Sequence, residues 1–335
     1  MKALWKSGNG LLQIREIEEP ILQFSDDVKI KITYAMIGNE DLRMYREGDY
    51  YSKSGVAGYE MSGVIVELGS HAAAQGYYIG QRVSGTLVCF CGKCYSCKHK
   101  KEMWCSDFKI KAGTICEYIV WSSKQLVPLG ERISDKLGAL LEPVAVVAES
   151  CRRMQIQVGD SICIFGADFQ GLVMLQIARL YGAHKITVVD SVKSRCTLAR
   201  TLGADYVIDS EEDAFENQLL DITDFNGFDA VAISTGDIGT FRIATDLVAR
   251  GGVLLLTTYY GMGQKLAIDS AKFCYTGIYV TSSLLYGFDT LELTGRLLPT
   301  LNLNALVGME FPFDQSVLAY EALKTGLHPR IAIKL

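Results

Sequence analysis

Residues 158–190 read VGDSICIFGADFQGLVMLQIARLYGAHKITVVD. Ser161–Phe165 is a short apolar run, as expected of a strand buried on both faces. Gly166-Ala167-Asp168-Phe169-Gln170-Gly171 then turns the chain, and the run GLVMLQIARL carries helical spacing. A second apolar strand, KITVVD, ends at Asp190, 24 residues after Gly166. Strand, glycine turn, helix and strand-ending acid form the context of a dinucleotide-binding βαβ unit. The helix N-terminus would receive the pyrophosphate and the acid a ribose hydroxyl. Asp190 favours NAD over NADP, because a carboxylate repels a 2′-phosphate; Arg195, a few residues on, weakens that preference. One position conflicts with the pattern. Asp168 stands at the middle glycine, where the backbone should approach the pyrophosphate, and its charge opposes a phosphate by on the order of 1 kcal/mol. Gly166, Asp168, Gly171, Asp190 and Arg195 are the candidate coenzyme residues, and NAD(H) is the expected cofactor.

Working outward, the strand–helix rhythm continues through DYVID, FDAVAISTG, GGVLLLTTYYG and GIYVTSSLLYG, with helical patterns between several of them. Near-continuous apolar strands alternating with helices predict a doubly wound parallel sheet. Before Glu142 the pattern differs. VKIKITYAMIG, SGVIVEL, QRVSGTLVCF and CEYIVW are short strands broken by glycine, several with alternating polarity, which predicts an antiparallel half-buried sheet or barrel. The last 50 or so residues return to mixed strands and a helix, ending in RIAIKL. The fold class is therefore α/β, a β-rich domain plus a Rossmann domain.

Composition narrows the function classes. With 335 residues, 49% apolar and 21% charged, the chain can bury a large core. Lys and Arg number 33 against 38 Asp and Glu, a net charge of −5. That balance offers no basic footprint for nucleic acid or an anionic membrane. No stretch reaches the roughly 18 apolar residues of a membrane span, and the N-terminal segment lacks a secretory pattern. The expectation is a cytoplasmic protein whose ten cysteines stay reduced.

Four of those cysteines fall at metal spacing. Cys91, Cys94, Cys97 and Cys105 are separated by two, two and seven residues, a run that wraps thiolates around a tetrahedral zinc. Lys93, Lys98, Lys100 and Lys101 would offset the net negative charge of such a centre. Four protein ligands leave no open position, so one structural Zn²⁺ per chain is expected.

With these motifs in hand, the sequence resembles the zinc-containing medium-chain dehydrogenase superfamily, in its alcohol, polyol and threonine dehydrogenase branch. The segments carrying the likeness include MIGNEDLRMY (36–45), GYEMSGVIVELGS (58–70), the four-cysteine loop, LLEPVAV (140–146) and VGDSICIFGADFQG (158–171). The resemblance implies a GroES-like catalytic domain over residues 1–147 and 286–335, with a coenzyme-binding Rossmann domain over 148–285 between them. It also implies a catalytic zinc held by a Cys and a His. Here Gly38 stands at the Cys place and Tyr59 at the His place, while Glu40 replaces the usual proton-relaying Ser or Thr.

Glu40, Tyr59, Glu60 and Glu142 remain as candidate catalytic residues converging on one cleft, with Arg43 a candidate to neutralise them. Three close carboxylates cannot all ionise cheaply, so one should titrate high and serve as a general acid or base. The leading expectation is a zinc-independent NAD(P)-dependent oxidoreductase acting on a small polar alcohol or ketone, such as a polyol, sugar-like compound or cyclitol. The alternatives are a reductase of activated C=C or C=N bonds and a non-redox protein on the same fold. A homodimer or homotetramer is expected from apolar edge strands such as GIYVTSSLLYG.

Overall fold

The computed structural model describes residues 1–8, 10–43, 54–235, 238–258 and 263–335, the side chain of Arg43 excepted. Met44 and Tyr45 of the MIGNEDLRMY segment, and the Arg43 side chain, lie outside the described residues. The chain divides into two units, residues 1–144 with 287–335, and residues 145–286.

In the first unit, β1 (Asp27–Ile37) is the central strand. Its β-branched Val28, Ile30 and Ile32 alternate with Lys29 and Lys31, a pattern that suits a half-buried pleated surface. Those three apolar side chains are buried in one core cluster with Met61, Ile65 and Trp121. After β1 the short helix α1 (Asn39–Arg43) turns away. Then come β2 (Glu60–Leu68), β3 (Arg82–Gly85), β4 (Tyr118–Ser122) and β5 (Leu126–Pro128). Strands β1, β2, β3 and β5 pair antiparallel in the order β5-β3-β2-β1, and β4 pairs with β1 near its start. A helix, α2 (Leu141–Arg153), begins in this unit and continues into the second.

The second unit holds β6 (Ser161–Phe165), α3 (Phe169–Leu180), β7 (Lys185–Asp190), α4 (Lys193–Thr201), β8 (Tyr206–Asp209), β9 (Phe228–Ile233), β10 (Val248–Leu256) and β11 (Tyr279–Ser282). Every pairing among these strands is parallel, and the sheet order is β8-β7-β6-β9-β10-β11. The order reverses between β6 and β9, the switch point beside which open α/β sheets bind ligands. The helix Gly239–Leu247 runs straight into β10, which starts at Val248. Helix and strand abut there with no turn residue between them, so hydrophobic periodicity alone does not mark the boundary.

The chain then returns to the first unit with β12 (Val307–Pro312), α5 (Ser316–Lys324) and β13 (Arg330–Lys334). β13 pairs antiparallel with β1 on the side opposite β2, and β12 pairs parallel with β13. Register fixes what meets what. Met36 faces Glu60 on one side of β1, and Ile37 faces Ile331 on the other. The residue just past β1, Gly38, therefore lies between the start of β2 and the start of β13. Among the described residues, no helix is long and apolar enough to cross a membrane.

Candidate active site

The four-cysteine loop forms a metal-ligand cage. The sulfurs of Cys91, Cys94, Cys97 and Cys105 all lie within 4.8 Å of one another, and among the described residues this is the only such group of metal-ligating side chains. Cys91 and Cys97 are 3.9 Å apart, as are Cys94 and Cys105. Four sulfurs about 2.3 Å from a tetrahedral zinc would sit at nearly these separations. Backbone N–H groups already point at the sulfurs: Cys94 donates to Cys91 at 3.3 Å, and Cys91 donates to Cys105 at 3.4 Å. Backbone N–H donation from Cys97 and Ser106 holds the Cys94 thiol down to about 6. The donor set fits a zinc with no position left for substrate. Cys89 lies outside this cage, opposite Lys109 in a short antiparallel strand pair that closes the base of the loop. Cys151 and Cys163 are fully buried core thiols, pushed up by desolvation.

The coenzyme turn has its glycines where space demands them. Gly166 sits at φ +104, and a β-carbon there would meet Ser234 Oγ at 2.5 Å. A β-carbon on Gly171 would meet the Gly166 carbonyl at 1.9 Å. Asp168 is the N-cap of α3, its carboxylate accepting from the Gly171 N–H at 3.0 Å. Its charge therefore sits at the helix N-terminus, the place a pyrophosphate would take. The Asp190 carboxylate accepts from the Ala167 N–H at 2.7 Å and from Val192 N–H at 2.8 Å, with Arg195 at 3.8 Å. Two glycines and the strand-ending acid fit a dinucleotide. Asp168 is the feature that opposes one.

A third constellation forms around the end of β1. Glu60, the first residue of β2, is fully buried, and Tyr59 beside it is 4% exposed. Gly58 adopts φ +83 so that the chain can enter β2, and a β-carbon there would strike Ile115 at 2.6 Å. Asp41 is buried in α1, its carboxylate accepting from the Gly38 N–H at 2.9 Å and from the Tyr320 hydroxyl at 3.4 Å. Arg330, 2% exposed at the start of β13, lies among these acids. Its Nη2 is 3.2 Å from Glu60 and 3.3 Å from Glu40. Glu40 is the open member, with 29% of its side chain exposed.

Burial dominates the electrostatics here. Desolvation pushes Glu60 up to about 7, opposed by Arg330 and assisted by the charge on Glu40. Asp41 is pushed up to about 8 by burial and by Glu60. Tyr59 is driven well above its usual range by burial and by the charges of Glu60 and Glu40. The structure thus brings Glu40, Tyr59 and Glu60 together, as the sequence suggested. It adds Asp41 and Arg330, which sequence reasoning did not place there. Glu142 is buried in the first turn of α2, but the largest charges felt by Tyr59 and Glu60 come from elsewhere. The neutralising cation identified by the geometry is Arg330. Its only trace in the sequence is a charge opening the otherwise apolar terminal strand RIAI.

Two family models match the chain, an alcohol dehydrogenase GroES-like domain over residues 25–131 and a zinc-binding dehydrogenase domain over 171–299. A sorbitol dehydrogenase of Halalkalibacterium halodurans is 29% identical over 337 residues, covering 97% of each chain. An L-threonine 3-dehydrogenase of Coxiella burnetii is 27% identical over 90% of each chain. An alcohol dehydrogenase from Thermus sp. ATN1 shares the fold, with a TM-score of 0.92 at 21% identity over 100% of both chains.

Proposed function

The chain belongs to the zinc-containing medium-chain dehydrogenase superfamily, and from that membership we propose that it oxidises a polyol-like alcohol, or reduces the matching ketone, without a metal at the reacting carbon. It is an NAD(P)-dependent oxidoreductase with a structural zinc. The observation that carries the proposal is the pairing of a dinucleotide turn with a buried carboxylate cluster in which position 38 is glycine and position 59 tyrosine. Neither residue supplies a thiolate or an imidazole, the ligands that the resemblance implies for a catalytic zinc.

When bound, the coenzyme supplies or accepts the hydride. Alcohol oxidation also releases a proton, which the chain itself must accept. Glu40 is the member of the cluster open to solvent and so the one placed to take that proton. Behind it, Glu60 holds or releases a proton near neutral pH, as a general acid–base group should. Tyr59, buried beside Glu60 and raised by its charge, keeps its proton and tunes that carboxylate. Gly166 and Gly171 keep the coenzyme turn tight, and Asp190 offers spare lone pairs to a ribose hydroxyl. Glu142 is retained as a buried acid supporting the site.

Self-association is part of the same reading. β11 is an edge strand, and Tyr279 on it is 54% exposed. Such an edge suits pairing with a second copy across a two-fold axis. Sedimentation should therefore return a multiple of 36.9 kDa.

The deciding experiment follows NADH and NADPH absorbance against a panel of polyols, sugar alcohols and cyclitols, for the wild type and Glu40→Gln. Turnover that Glu40→Gln lowers by about ten-fold or more supports proton transfer by that carboxylate. Absence of turnover across the panel, together with absence of coenzyme binding, would sink the proposal.

A further inference from the structure

Gly38 and Arg330 compete for one space. A β-carbon built on Gly38 would lie 2.0 Å from Nη1, 2.4 Å from Cζ and 2.8 Å from Nε of Arg330. Gly38 is not among the positive-φ glycines, so its smallness answers to the guanidinium and not to a backbone conformation. Arg330 is held there by more than charge. Its Nη1 donates to the Pro329 carbonyl at 3.2 Å, and the flanking Ile331 is locked opposite Ile37. Glu60 and Glu40 both reach Nη2, and Asp41 adds its field from α1.

A buried carboxylate cluster needs a cation. The two common solutions are a bound divalent ion and a guanidinium, and here the second fills the volume that a ligand side chain at position 38 would need. A guanidinium stays charged at every working pH and cannot be chelated or exchanged.

We propose that Arg330 is the resident cation of this site: its guanidinium bars a divalent ion from Glu40 and Glu60 and holds Glu40 for proton transfer. This deepens the metal-independent reading above and rests on it for the role of Glu40. Arg330 is a positioning residue, since its Nη1 is given to the Pro329 carbonyl and its Nη2 faces Glu60 and Glu40. Unlike a metal, it does not bind the alcohol oxygen, so the proton must leave to a carboxylate.

The test counts metal and needs no turnover. Wild type dialysed against excess Zn²⁺ or Co²⁺ should hold one ion per chain, at the four cysteines. Gly38→Cys/Tyr59→His with Arg330 retained should still hold one. Adding Arg330→Ala should admit a second, seen as a second equivalent by mass spectrometry and as new visible absorption with Co²⁺. A second tight ion in wild type or in the double variant would overturn the exclusion. So would a triple variant, folded by circular dichroism, that stays at one. Should the triple variant not fold, the wild-type and double-variant counts still decide.

The positioning role is read separately. Arg330→Met should lower kcat by about ten-fold or more with KM little changed, and Arg330→Lys should recover part of that loss. Equal loss in both variants would show that the charge is not what matters. If the enzyme turns over no alcohol at all, the functional reading fails while the metal count stands.

Discussion

At the scale of single residues, the coenzyme turn shows which departures from a motif are structural and which are chemical. Gly171 has no freedom, because a β-carbon there would collide with the Gly166 carbonyl at 1.9 Å. Gly171→Ala should therefore destabilise the protein by about 3 kcal/mol, seen as a clear fall in the urea midpoint. Asp168 is a different case. Its carboxylate caps α3, yet glycine is tolerated at N-caps for a few tenths of a kcal/mol. Asp168→Gly should thus leave stability nearly unchanged while removing a charge from the phosphate place. Relief of on the order of 1 kcal/mol corresponds to roughly five-fold tighter NADH, measured by fluorescence titration. Unchanged affinity would mean that the pyrophosphate does not sit at this helix end. The motif was legible in the sequence down to this conflict. What the sequence did not reveal is that Asp168 does structural work as a cap, because capping depends on where one carboxylate oxygen points.

At the scale of elements, three short segments meet around β1: α1, the start of β2 and the start of β13. Glu40, Tyr59 and Glu60 were readable as a cluster because the resemblance aligned them with an active site. Arg330 was not, since it lies 270 residues beyond Glu60 in sequence and only strand register brings it opposite Gly38. The cluster makes the fold pH-sensitive in a definite direction. Asp41 and Glu60 ionise near 4 when unfolded but are pushed up to about 8 and about 7 when folded. Between those limits the folded state holds more protons than the unfolded one, so stability must fall as pH rises from about 4 to about 8, and level off above. Thermal melts across that range should show the decline. Asp41→Asn keeps its one accepting oxygen for the Gly38 N–H and turns its NH₂ to the Tyr320 hydroxyl, which then accepts, while removing one buried acid, so its melts should vary less with pH. A wild-type stability that rises steadily from pH 5 to 8 would contradict the raised carboxylates.

At the scale of the whole molecule, the alternation of apolar strands with helices and the change of rhythm near Glu142 were enough to predict the parallel sheet and the antiparallel one. Periodicity reports burial, and burial is what these sheets are made from. It says little about the loop from Cys91 to Cys105, whose regular structure is one four-residue helix and one short 3₁₀ turn. Tyr95 and Trp104 in that loop are 75% and 53% exposed. Hydrophobic burial therefore contributes little to its order, and the ligand cage must hold it. Structural zinc sites supply folding free energy of this kind. The exposed Lys93, Lys98, Lys100 and Lys101 place trypsin sites throughout the same segment. Zinc-loaded protein should resist cleavage there, whereas chelated protein, or Cys94→Ser, should be cut within the loop before the sheets are touched. Mass spectrometry of the first fragments distinguishes the outcomes. Equal cleavage with and without zinc would show that the loop keeps its shape unaided and that the four thiolates serve some purpose other than stability.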